Sequence, residues 1–191
     1  MLLFHFTEIH SEIKSEKDVL KIIEIQKSII ESDIMKNPKT KLLINRYFQI
    51  FDRKSTQDKI LDEFIILESF YTGSNKSEIS FRLSLNIAPF LGKNKENFEE
   101  IYQFIKDVYS IRSGIVHGDE WESKLKKPNI KKYFSFIEDS DFISNVAETI
   151  FLRLKEYIDE TILKILNWEI EKEISFFEKA TGLDFINHRF H

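Results

Sequence analysis

The chain of 191 residues carries 28 basic and 32 acidic side chains, a formal net charge of −4. That length suits one domain, or one domain with an appendage, and the acidic balance excludes coating of nucleic acid by bulk charge while leaving room for a local basic patch. The absence of Cys excludes disulfide frameworks, thiolate metal sites and a cysteine nucleophile, and 18 Phe, 6 Tyr and 2 Trp supply apolar area enough for a core without them. No run approaches a membrane span in apolar length, and Met1-Leu2-Leu3-Phe4-His5 is not a secretory leader, so a cytoplasmic protein is expected. Only 5 Gly and 3 Pro occur, too few for a many-turned β domain, and the apolar residues recur at helical spacing, so the fold class is all-α.

In chain order, Ser15 and Asp18 form a capping pair ahead of Val19, Leu20, Ile22, Ile23, Ile29, Ile30 and Ile34, which predicts a helix reaching Asn37-Pro38. Pro38 suits the first position of a second helix, striped by Leu42, Leu43, Tyr47, Phe48 and Phe51. Ser55 with Asp58 repeats the capping pattern for a third helix, with Ile60, Leu61, Phe64, Ile65, Leu67 and Tyr71 apolar and Gly73 as its stop. A fourth is expected over about 77–90, ended or kinked by Pro89, and a fifth over about 97–116 with Gly118 as its terminal glycine. Residues 119–137 are polar and lysine-rich and read as a surface connection with at most a short helix. Ser140 then caps a long helical region running to about Ala180.

The segment Tyr109-Ser110-Ile111-Arg112-Ser113-Gly114-Ile115-Val116-His117-Gly118 is the most informative. An arginine is a permanent planar cation that holds phosphate through two hydrogen bonds, and a histidine can take or give a proton near neutrality. Together they suit phosphodiester cleavage. Five residues of helix rotate about 500°, leaving the two side chains roughly 140° apart, so one regular helix does not aim both at one atom. Two devices are available: Gly114 and Gly118 loosening the helix end, or a second copy of the chain supplying its own helix.

This segment, with Leu61-Asp62-Glu63-Phe64-Ile65-Ile66-Leu67-Glu68-Ser69-Phe70 and Phe81-Arg82-Leu83-Ser84, resembles the HEPN superfamily and its Apea-like branch, over about residues 40–165. The resemblance implies a bundle of about five to six helices that dimerises through the motif helix, with residues 1–40 as a helical extension, the remnant of a preceding region, and 41–191 as the HEPN-like domain. It implies a metal-independent endoribonuclease without cofactor, of the kind found among toxins and phage-defence effectors, checked by an antitoxin or regulatory domain. Arg112 would stabilise charge on the scissile phosphate and His117 would act as general base or acid, leaving a 2′,3′-cyclic phosphate. The residue after the motif Arg is Asn, Asp or His in many catalytic members; Ser113 stands there in this chain. Non-catalytic relatives serve as dimerisation, RNA-binding or partner-binding modules, which is the second reading.

Plain structural roles stand beside each of these. Arg112 and His117 also suit a helix-end salt-bridge arrangement. Glu68 and Arg82, at positions often charged in the family, are expected to form a supporting pair, and Tyr109 either stacks on a base or packs. Lys124, Lys126, Lys127, Lys131 and Lys132 either track an RNA backbone or belong to a solvated loop offset by Asp119, Glu120 and Glu122. His188 and His191 belong to a frayed tail rather than a metal site. No Gly-rich phosphate loop or nucleophile elbow is present.

Overall fold

The computed structural model describes residue 27 and residues 38–72, 78–137 and 142–172, with residues 39, 40 and 166–172 described by backbone alone. Seven α-helices follow one another among the described residues, and none of these residues lies in a strand: α1 (Pro38–Ile50), α2 (Thr56–Tyr71), α3 (Ile79–Leu91), α4 (Lys95–His117), α5 (Trp121–Leu125), α6 (Pro128–Lys131) running into a 3-10 turn (Lys132–Phe134), and α7 (Phe142–Lys172). The all-α expectation holds, with five helices of 13 to 31 residues forming the bundle. The expected first helix, Gly73, Ser140, the stretch beyond Lys172 and the two C-terminal histidines lie outside the described residues.

Helix α2 is the organising element, packing on α1, α3, α4 and α7. Ile60, Phe64, Leu67 and Tyr71 recur at the helical period and are fully or almost fully buried. Each such large side chain contributes about 1.5–3 kcal/mol by leaving water. Opposite them stand Leu83, Ile87 and Leu91 from α3, Phe104, Ile105 and Val108 from α4, and Val146, Ile150 and Leu154 from α7, all buried in the same core.

Local chemistry sets the element ends. Ser55 occupies the N-cap of α2 without a side-chain capping bond, so the Ser55–Asp58 pattern marks the start of that helix but does not cap it as expected. Asn94 does cap α4: its side chain accepts from the Asn97 N–H at 2.8 Å, and the Asn97 side-chain oxygen Oδ1 accepts from the Lys93 N–H at 3.1 Å. Pro89 falls in the last turn of α3, and the helix stops two residues later.

The reading of residues 119–137 as a surface connection is corrected. Leu125, Ile130 and Phe134 are 0%, 0% and 1% exposed, one from each short helical turn, and they drive α5, α6 and the 3-10 turn down onto the bundle. Among the described residues no helix is long and apolar enough to cross a membrane.

Candidate functional site

Helix α4 runs unbroken through Arg112, Ser113 and Gly114 to His117. It ends in a paired closure: the Gly118 N–H donates to the Ile115 carbonyl at 3.3 Å and the Asp119 N–H to the Gly114 carbonyl at 2.9 Å. Gly118 holds φ at 70°, the left-handed region that glycine occupies without a Cβ clash. His117 is therefore the last helical residue, and its side chain is exposed.

Gly114 does not loosen the helix, contrary to expectation. A Cβ there would lie 2.8 Å from Lys124 Nζ and 3.1 Å from Trp121 Cβ, so the missing side chain is what lets α5 close against α4. With the helix regular, Arg112 and His117 keep their roughly 140° separation. Arg112 turns into the bundle towards α2, while His117 faces solvent at the helix end.

Arg112 is held by a carboxylate. Its Nη2 donates to Glu68 Oε2 at 3.3 Å, and its Nε lies 2.9 Å from Glu68 Oε1 as an ion pair, buried but not aligned for a hydrogen bond. The two side chains are 20% and 16% exposed. The Tyr109 hydroxyl donates to the same Glu68 Oε1 at 3.0 Å, and the guanidinium sits 5.6 Å from the Tyr109 ring centre. Burial, followed by the Glu68 charge, pushes the Tyr109 phenol up to about 12, so it stays a donor throughout the neutral range. Its ring packs edge-on against Phe64, with centroids 5.5 Å apart. Tyr109 is thus a packed, bonded residue rather than an open stacking platform.

Glu68 does not pair with Arg82, as the sequence had implied. Arg112 takes that carboxylate, and Arg82 Nη2 reaches the Thr72 carbonyl at 3.5 Å, at the end of α2, with its Nε buried and unbonded. Ser113, next to Arg112, is half-buried.

The basic run divides into two kinds of lysine. Lys124 Nζ lies 3.2 Å from the Ser110 carbonyl and 3.3 Å from Asp119 Oδ2, which straps α5 to α4. Lys132 bonds Asp107 at 3.0 Å, and Asp107 also accepts from Asn129 at 3.1 Å and from the Tyr133 hydroxyl at 2.9 Å. Burial pushes the Asp107 carboxyl up, but hydrogen bonds from Lys132, Gln103, Asn129 and Tyr133 outweigh it and lower the net pKa. Lys131 lies 5.8 Å from the Phe142 ring. Lys126 and Lys127 are exposed. Lys124 and Lys132 therefore serve the fold through carboxylates, and Asp107, the partner of Lys132, is one that the sequence does not place near it.

Glu63 escaped the sequence reading. It is fully buried in α2, and neither carboxyl oxygen has a hydrogen-bond partner. Burial pushes its pKa well above the ordinary value; Lys155 and Lys59 work against that rise, and Asp159 and Glu148 reinforce it. The signal was available: Glu63 stands three residues after Ile60 and four before Leu67, inside the apolar stripe.

Among the described residues no group of three or more His, Asp or Glu side chains is placed to hold a metal ion. No protein-family model matches the chain, and no curated protein or solved structure matches it.

Proposed function

We propose that the chain is a metal-independent endoribonuclease of the HEPN type, acting in the cytoplasm as a homodimer under the control of an antitoxin or regulatory partner. The observation that carries this reading is the delivery, by the last turns of one helix, of an arginine oriented by Glu68 and of an exposed histidine at a glycine-closed end. A guanidinium fixed on two of its nitrogens is pre-organised, so less entropy is lost when phosphate meets the remaining edge.

Because α4 separates Arg112 and His117 around its axis, the complete site needs the same helix from a second copy. One His117 takes the proton from the 2′-hydroxyl, whose oxygen bonds to phosphorus. The P–O5′ bond breaks, the other His117 protonates the departing oxygen, and a 2′,3′-cyclic phosphate and a 5′-hydroxyl remain. DNA lacks the nucleophile and is not cut.

One observation favours a second reading, a non-catalytic module for dimerisation, RNA binding or partner binding: Glu68 already neutralises Arg112, and that side chain is four-fifths covered. Incubation of mixed RNA and matched DNA pools with the purified chain in EDTA separates the two. Cleaved RNA with cyclic phosphate ends beside intact DNA is the expected result. Intact RNA moves the assignment to the module.

A further inference from the structure

A cleft of about 500 Å³ opens between the start of α2, the short helix α5 and the start of α7. Its walls include the rings of Trp121 and Phe142, the polar side chains of Ser55 and Gln57, and Glu122 and Lys126. Trp121 and Phe142 are each half-buried, and Lys126 is exposed. The volume falls within the range of about 300–1,000 Å³ typical of small-molecule sites.

The charge around the cleft selects its occupant. Glu122 lines it, and the Thr56 hydroxyl on the same wall donates to Glu148 at 3.2 Å. Glu122 and Gln57 can hydrogen-bond the donor-bearing edge of a nucleobase. The two rings offer stacking faces, and Lys126 at the mouth offers a cation to the backbone phosphate.

The cleft is also tied to the motif. Trp121 follows His117 by four residues, so their Cα atoms are at most about 15 Å apart along the chain. The close approach of Trp121 to Gly114 fixes that relation. A base held against Trp121 would therefore lie within a few nucleotides of a bond presented to His117.

We infer that this cleft takes one unstacked base of a single-stranded RNA, within a few nucleotides of the bond presented to His117, and so sets where the strand is cut. The inference rests on the RNA reading above.

The test uses the full chain carrying His117→Ala, which binds without cutting, and Trp168→Phe, which leaves Trp121 as the remaining one of the 2 tryptophans. Titration with a single-stranded oligoribonucleotide is expected to quench Trp121 fluorescence. Phe142→Ala is expected to weaken that binding about tenfold, the loss of one stacking face, with helicity checked by circular dichroism. Gln57→Ala with Lys126→Ala, which leaves both rings in place, is expected to weaken it severalfold and, in the His117 chain, to shift the cleavage positions. Cleavage and RNA affinity unchanged in both variants, with Trp121 fluorescence unmoved by RNA, would overturn the cleft assignment and leave the nuclease standing. Absence of RNA cleavage and of RNA binding in every form would overturn both.

Discussion

Glu63 and Glu68 stand five residues apart on α2, one among the residues near α7 and the other against α4, and they meet opposite environments. Glu68 receives the Tyr109 hydroxyl and the Arg112 guanidinium. Glu63, more deeply buried, receives no hydrogen bond, while Asp159 on α7 accepts from the Tyr47 hydroxyl and pairs with the Lys155 ammonium at 2.8 Å. The α4-facing carboxylate is compensated and fixes a largely buried cation between α2 and α4. The α7-facing one carries an uncompensated desolvation cost. A carboxylate in this core is therefore informative according to what it holds.

Three substitutions break or sharpen that contrast. Glu68→Ala leaves the largely buried Arg112 without its counter-charge and is expected to destabilise the fold by about 3 kcal/mol in urea unfolding. An unchanged midpoint would mean that the pair is screened and idle. Glu63→Met, which replaces an unbonded carboxyl with an apolar side chain of similar length, is expected to act in the opposite direction, stabilising by about 2 kcal/mol at neutral pH. The pH dependence carries the sign. A carboxyl whose folded pKa is raised costs nothing extra below its unfolded value near 4.5, and stability falls as pH rises from there towards the folded value. Glu63→Met should flatten that fall, and an unaltered slope would place its origin elsewhere. The smallest effect is expected from Tyr109→Phe, which removes one donor to Glu68 and keeps the ring against Phe64, a loss of about 1 kcal/mol measurable by the same unfolding curves.

The sequence made the long helices legible wherever apolar period and end chemistry agreed. Pro38 opens α1 and Gly118 closes α4 in the left-handed conformation, both as expected, while α4 starts two residues ahead of the expected 97 behind a cap, Asn94, that the periodicity does not mark. Segment 119–137 gives no such signal: Leu125 and Ile130 stand alone among polar residues, and the apolar cluster Tyr133-Phe134-Ser135-Phe136-Ile137 has no helical stripe around it, so the sequence does not show that Leu125, Ile130 and Phe134 are buried. The same limit applies to charge. The sequence already sets Asp119 against the basic run, but it could not show that Lys124 also reaches the Ser110 carbonyl, or that Lys132 belongs to Asp107, since pairing is set by the fold. At the candidate site the residue types and helical placement of Arg112 and His117 were readable, while the partner of Glu68 was not: Arg82 and Arg112 are equivalent in chemistry, and only packing brings Arg112 to α2. Nor does the sequence show that Trp121 and Lys124 close on Gly114, where a glycine alone suggests freedom.

The central claim is that His117, at the glycine-closed end of α4, does chemistry on RNA. The most direct measurement compares cleavage of one RNA substrate, in EDTA, by the unaltered chain and by His117→Ala, with oligomeric state and helicity recorded for both. The account predicts that the folded, dimeric variant loses at least about 100-fold in rate, the scale of a lost general acid–base group. Equal cleavage by both proteins would contradict it.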